Sequence, residues 1–267
     1  ITWSLVGSEM CIRDRLRSYV AEILDTTSSI SATYDLSDTT TLVAGFHEGM
    51  TPMFGADPEE ADNMELGVRY SEGTTNVEAF YFASDYSRLA AECTLVSGAA
   101  CNPDESAIFS GGEAEVTGLE LNGSTIVEGD GVSYPISISW TNTDATFKNS
   151  SDSDYFGKVA AGDDLPYIPS RQFSIVAGFV SDSGLRGSAR LVNVGSSCSL
   201  AACGVYNKID SHSYLDLSLR KALNDSMDVY LIVENTTNRE DLISRAPSEG
   251  ARSQKPRTMK LGFSYNF

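Results

Sequence analysis

Residues Met259–Phe267 read MKLGFSYNF and close the sequence. Met259, Leu261, Phe263, Tyr265 and Phe267 are apolar or aromatic, and the residues between them, Lys260, Gly262, Ser264 and Asn266, are polar or small. This is the period-2 pattern of a strand with one apolar face. Terminal residues are more often polar and frayed, so an aromatic strand at the very end needs a reason.

The alternation recurs upstream. Met64, Leu66, Val68 and Tyr70 alternate with Glu65, Gly67 and Arg69. Ile136, Ile138 and Trp140 alternate with Ser137, Ser139 and Thr141. Phe173, Ile175, Ala177 and Phe179 alternate with polar or small residues, except that Val176 interrupts the pattern. Leu215, Leu217 and Leu219 alternate with Asp216, Ser218 and Arg220. Each stretch fits within the length of about 9–11 residues expected of a tilted membrane strand.

Connections of two lengths take turns along the chain. Short ones lie at 71–76 (SEGTTN), 181–184 (SDSG) and 223–227 (LNDSM). Long ones lie near 50–61, 89–112, 148–168, 195–211 and 236–256. Outer-membrane barrels sort their connections in this way, with tight periplasmic turns and long extracellular loops. A soluble β-sandwich or lipocalin-like barrel is the alternative, but it has no reason to sort turn length by end. About eleven strands are expected from near Ile30 to Phe267. Single-chain bacterial barrels have even strand numbers, so an odd count points to part of a larger barrel.

Composition agrees with an all-β antiparallel transmembrane architecture. The 267 residues are 41% hydrophobic, with a mean hydropathy of -0.16. No run of about 18 apolar residues is present, which excludes a transmembrane helix and leaves a barrel open, since its lumen positions are polar. Nineteen Lys and Arg face 37 Asp and Glu, a net charge of -18. That balance argues against a nucleic-acid partner.

The segment EMCIRDR, Glu9–Arg15, back-translates to a sequence that looks like the mosaic-end adapter of transposase-based sequencing libraries. On this reading residues 1–15 are an artefact, loosely attached to the rest, and 16–267 are the protein.

Several segments together resemble TonB-dependent outer-membrane receptors. ADNMELGVRYSEGTTNVEAFYFASDYSRL (61–89) resembles a mid-barrel hairpin of that family, and GGEAEVTGLEL (111–121) the strand after it. DDLPYIPSRQFSIVAGF (163–179) looks like the start of a later hairpin. YLDLSLRKAL (214–223), VYLIVENTTNREDL (229–242) and KPRTMKLGFSYNF (255–267) resemble the last three strands. The resemblance covers nearly all of 30–267 in family order, and leans toward the ferric-dicitrate and siderophore branch. It implies a 22-stranded barrel with a plugged lumen, of which this chain carries about eleven C-terminal strands, the plug and the TonB-contacting segment lying upstream. An eleven-strand half is expected as an open, curved sheet or a forced small barrel, because its free edges expose unpaired backbone groups.

The implied function is import of a ferric chelate, a siderophore or ferric citrate. The alternatives are the same family importing cobalamin, a carbohydrate or another metal chelate, then a passive porin, then a soluble β-sandwich binding module. The implied partners are the ferric-chelate ligand, the TonB complex, the lipid bilayer and the outer-membrane assembly machinery. That machinery would read the C-terminal strand, with Phe263, Tyr265 and Phe267 toward lipid and Lys260 and Asn266 toward the lumen. No cofactor and no resident metal are implied.

Within this frame Cys11 belongs to the adapter-like segment, and the other four cysteines form two close pairs, Cys93/Cys101 and Cys198/Cys203, each in a long loop. In an oxidising envelope they read as two loop disulfides. Neither pair has a histidine nearby in sequence to complete a metal site. Asp152, Asp154 and Gly157 fit positions one, three and six of an EF-hand loop, but Phe156 fills a ligand position and Asp163 stands where a bidentate Glu belongs. A solvated acidic loop is the favoured reading. His47 and His212 stand at strand–loop borders, and the adjacency of Asp210, Ser211 and His212 does not make a triad, which is built by geometry. An enzyme is not expected. Arg69, Arg88, Arg171, Arg186 and Arg190 are the candidate ligand contacts, since Arg pairs bidentately with carboxylates. The competing reading is that each balances acidic lumen neighbours such as Glu65 or Glu120.

Overall fold

In a computed structural model, the structure describes residues 2–4, 27–52, 57–92, 108–153, 156–245 and 250–265. Twelve strands form one sheet, each paired antiparallel with its neighbour in chain order. They are β1 (Thr2–Ser4), β2 (Ser29–Asp35), β3 (Thr40–Thr51), β4 (Glu59–Glu72), β5 (Thr75–Glu92) and β6 (Ile108–Gly129). The sheet continues with β7 (Val132–Phe147), β8 (Arg171–Ser181), β9 (Leu185–Val194), β10 (His212–Asn224), β11 (Met227–Glu234) and β12 (Thr258–Tyr265). The segment from Ser29 to Tyr265 thus holds eleven sheet strands, the number read from the sequence. Thr2–Ser4, expected from the sequence to be loosely attached, instead pairs with Ser31–Thr33 as the first edge of the sheet. Among the described residues the edges β1 and β12 do not pair with each other, so the barrel is not closed.

Turn chemistry sorts the connections. The sheet strands from β2 onward are joined alternately by short turns (36–39, 73–74, 130–131, 182–184, 225–226) and long loops (52–58, 93–107, 148–170, 195–211, 235–257). The sequence reading missed the turns at 36–39 and 130–131. The second is an Asp-Gly pair, a strong hairpin signal, and Gly131 takes φ +68° there, a conformation that costs glycine nothing. All short turns lie at one end of the sheet, and the strand ends that flank the long connections lie at the other.

The register separates two faces. One row runs Ala44, Leu66, Tyr81, Leu119 across β3–β6, and another runs Leu219, Leu231, Leu261 across β10–β12. These apolar side chains are open: Leu66 is 58% and Leu261 83% exposed. The opposite face carries rows such as Arg69, Glu78, Asn122, Ser139, Ser174. An apolar exterior and a polar interior are what a membrane-spanning wall requires. Phe263 and Tyr265 share the apolar face of β12 with Met259 and Leu261, and Lys260 points the other way, where its Nζ donates to Glu234 Oε1 at 2.6 Å. Asn266 and Phe267 lie outside the described residues. Val176, which broke the alternation, faces the interior opposite Ser137 and Arg190.

Among the described residues the sheet itself has no sandwich core. Buried hydrophobic residues gather where the long loops begin: Ala114, Ala145 and Phe147 of the β6 and β7 ends, Val159 and Leu165 of the loop 148–170, and Ala201 of the loop 195–211.

Candidate functional site

Two places carry the functional geometry, the loop layer packed on the outer strand ends, here called the mouth, and the polar lumen wall. At the mouth, the loop 148–170 folds back along β7. Gly162 N–H donates to Phe147 O (2.8 Å), Phe147 N–H to Asp163 O (2.9 Å), Leu165 N–H to Ala145 O (2.9 Å) and Thr143 N–H to Ser170 O (3.0 Å). Within the loop, Ser151–Ser153 pairs with Gly157–Val159 as a small ribbon. Phe156 stacks edge-on against the buried Phe147, centroids 5.2 Å apart at 71°. The EF-hand-like stretch is therefore a hairpin in its described part: Phe156 is a packing residue, and Asp163 Oδ2 accepts from Ala160 N–H at 2.8 Å.

The loop 195–211 is tied into the same layer. Cys198 and Cys203 form a disulfide with Cα atoms 5.6 Å apart, as expected from their spacing. Cys93 and Cys101 lie outside the described residues. Tyr167 N–H donates to Cys198 O at 2.7 Å, linking the two loops. Beyond the disulfide the tip projects Val205 and Tyr206 fully into solvent.

The loop 235–257 is organised by one side chain that the sequence reading did not single out. Asn235 is buried and takes φ +48°, a left-handed conformation that Asn tolerates. Its Nδ2 donates to Arg239 O (2.7 Å) and Lys255 O (2.8 Å), and its Oδ1 accepts from Arg239 N–H (3.1 Å). Arg239 in turn reaches Asp241 with Nε at 2.7 Å and Nη2 at 3.3 Å. This pairing holds the Asp241 carboxyl below the usual carboxylate range, first through the hydrogen bond from Arg239.

The five candidate arginines fall into different environments, and one of them, Arg171, does not face the lumen as the sequence reading expected. Arg69 pairs with Glu78 at 3.0 Å and lies 5.2 Å from the centroid of the Phe80 ring. Arg88, near the outer end of β5, pairs with Glu60. Arg171 occupies the same register row as Asn142 and Leu119, on the face that carries the apolar rows, at the outer rim. Arg190 faces the lumen opposite Val176 and Asp216. Arg186 faces the lumen opposite Arg220. Arg186 and Arg190 share the lumen face of β9, four residues apart, and no two of the five candidates meet at one site.

Arg220, absent from the sequence-based candidates, is central to the lower wall. Its Nη2 donates to Asp228 Oδ2 at 2.5 Å and to Ser264 Oγ at 3.0 Å. Arg186 stands 3.8 Å from Asp228. These arginines border a concavity of about 640 Å³, lined otherwise by uncharged residues including Asn76, Ser124, Ser137 and Ser188. A second hollow of about 280 Å³ adjoins it through Asn76, Ser124 and Ser137. Only the polar face of the wall could have signalled this site in sequence, because the meeting of Arg186 and Arg220 depends on register.

Comparison with known proteins fits this architecture. The ferric-catecholate import receptor Fiu from K12 E. coli superposes with a TM-score of 0.69 at 18% identity, over 99% of this chain and 40% of that one. The siderophore receptor PiuA from Acinetobacter baumannii gives 0.74 at 17% identity, over 90% of this chain and 36% of that one. The ferric citrate transporter FecA in its unliganded form gives 0.72 at 17% identity, over 91% and 38%. The chain spans well under half the length of each of these proteins, and the likeness establishes the fold. A search of curated proteins finds no match. The family described as TonB dependent receptor-like, beta-barrel, matches residues 14–235, most of the chain. Its members are transport receptors of the bacterial outer membrane, and with that match, an apolar exterior, a polar lumen and loops sorted to one end, the chain belongs to the TonB-dependent receptor β-barrel family.

Proposed function

We propose that this chain is the C-terminal part of the barrel of an outer-membrane importer that takes up a ferric chelate, a siderophore or ferric citrate. The observation that carries the reading is a polar lumen wall bearing Arg69, Arg186, Arg190 and Arg220 under a folded loop cap, in a chain of this family. Arg69 is paired with Glu78 and Arg220 with Asp228, so the more loosely held Arg186 and Arg190 are the wall cations offered to an anionic group. The likeness to receptors named for ferric catecholate, siderophore and ferric citrate supports the iron branch.

In the complete receptor the loops capture the chelate at the surface, and energy passed through TonB to a lumen domain upstream of this chain shifts the population toward a release-competent state. The wall supplies contacts and a dry exterior, and no bond is made or broken. Phe263, Tyr265 and Phe267 serve the assembly machinery as a terminal aromatic signal. Residues 1–15 are proposed to be foreign to the protein, and Cys93 and Cys101 to form a second loop disulfide.

The test is uptake of radiolabelled ferric citrate and ferric siderophores by cells carrying the complete gene, with and without TonB. Uptake of at least one chelate that disappears without TonB is expected. Equal uptake in both strains, or none for any chelate, would show the importer reading or its iron branch to be wrong.

A further inference from the structure

We propose that Arg186 and Arg220 form an anion site low on the lumen wall, which takes a carboxylate group of the cargo after it has left the mouth. The choice of cargo rests on the importer reading, and the geometry of the site stands apart from it.

Arg186 and Arg220 are direct cross-strand partners on the lumen face. Like charges directly opposite each other destabilise a sheet, with Cβ atoms about 4.5–5.5 Å apart. One carboxylate, Asp228, lies between them, 2.5 Å from Arg220 and 3.8 Å from Arg186. Two positive charges against one negative leave a surplus of one positive charge, in a chain whose net charge is -18. Asp228 is largely covered, its side chain 16% exposed, while Arg186 is 52% and Arg220 41% exposed, and both arginines line the concavity. The residues lining the adjacent concavity include no other charged side chain, and its volume of about 640 Å³ falls within the range of small-molecule sites. Ser188 and Ser218 add hydroxyls beside the arginines, 2.8 Å from each other.

The placement favours a moving anion. Arg190 and Arg186 face the lumen four residues apart on β9, about 13 Å along the strand. Two arginines descending the wall, the upper one with Asp216 as its cross-strand neighbour, give an anion successive sites, each weak enough to leave, as conduction through a pore requires.

The experiment labels arginines of the complete receptor in detergent with phenylglyoxal and locates adducts by mass spectrometry, with free citrate as the probe and chloride at matched ionic strength as the control. Arg186 and Arg220 should react in chloride and be protected by citrate, while Arg239, paired to Asp241 in a loop, reacts equally in both. In Arg186→Gln the citrate needed to protect Arg220 should rise roughly tenfold or more, as loss of one charged hydrogen-bond donor implies, and Arg186→Lys should recover most of that loss. Arginines that react equally in both salts overturn the proposal. So do arginines unreactive in both, since the site would then be covered by the receptor itself. Absence of TonB-dependent uptake in the wild type would remove the importer reading and leave the protection result to decide the anion site by itself.

Discussion

The membrane wall and the capped mouth treat apolar residues in opposite ways. On the wall Leu66 and Leu261 stand in the open, whereas Phe147 at the mouth is 2% exposed. In a soluble protein the first would be a defect. Here the wall's stability comes from strand-to-strand backbone pairing, because lipid solvates its apolar face. The mouth is in water and must bury what it can, so the loops fold as a small globular layer on the strand ends. Apolar side chains are thus held by solvent on one region and by packing on the other.

The largest effect should come from the mouth. Phe147→Ala removes the centre of the loop core and should destabilise the cap by about 3–5 kcal/mol. Hydrogen exchange on the complete receptor would show it as lost protection across 143–170, with β3 and β4 unchanged. Protection retained in both regions would mean that the loops do not depend on this core.

On the wall the decisive variable is the face. Leu66 lies midway along β4 on the lipid side, and Leu66→Arg should cost about 2–4 kcal/mol in a bilayer. Its neighbour Glu65 faces the lumen, and Glu65→Gln should stay within about 0.5 kcal/mol. Equilibrium unfolding of both variants of the complete barrel in lipid vesicles tests the difference, and equal costs would reverse the assignment of faces.

The disulfide stands between the two regimes. It closes a loop of sequence separation 5, and for so short a loop its removal in the Cys198→Ser, Cys203→Ser variant should cost about 2 kcal/mol. Limited proteolysis near Val205 and Tyr206 should become faster while the wall stays intact. An unchanged cleavage rate would show that the neighbouring ribbon, Ser197–Cys198 with Lys208–Ile209, holds the tip without the covalent link.

The wall was legible in sequence and the cap was not, for a physical reason. Alternation in MKLGFSYNF and the turn residues of SEGTTN and SDSG are local signals, each complete within a few residues. Leu165 reaching Ala145, or Tyr167 reaching Cys198, are contacts that no local pattern encodes. The site shows the same divide. Arg186 could be picked out as a lumen-facing cation, but Arg220 acquires its role from the register that sets it opposite Arg186 and beside Asp228. Asn235 looked like an ordinary loop residue in ENTTNRED, and its left-handed backbone and three hydrogen bonds appear only once Lys255 has been folded back onto it.

The smallest effect is the acid response of that loop. Asp241 has its pKa lowered by the hydrogen bond and charge of Arg239, with a further contribution from the charge of His212. A carboxylate depressed in the folded state adds stability above its ordinary pKa, and that contribution is lost as pH falls through the folded value. The pair is solvent-facing, so the gain is modest and salt-sensitive. Order in the loop 235–257 should therefore be constant near neutrality and fall below the ordinary carboxylate range, with Arg239 released first. Asp241→Asn should remove the acid dependence and leave the loop at neutral pH as loose as the wild type is in acid. Hydrogen exchange at Arg239 and Gln254, whose amides donate to Asn235 Oδ1 (3.1 Å) and Asp241 O (2.9 Å), reads this directly. If Asp241→Asn keeps the full acid dependence, another carboxylate governs the loop, and Glu234, held by Lys255 at 2.5 Å and Lys260 at 2.6 Å at the end of β11, is the next to substitute.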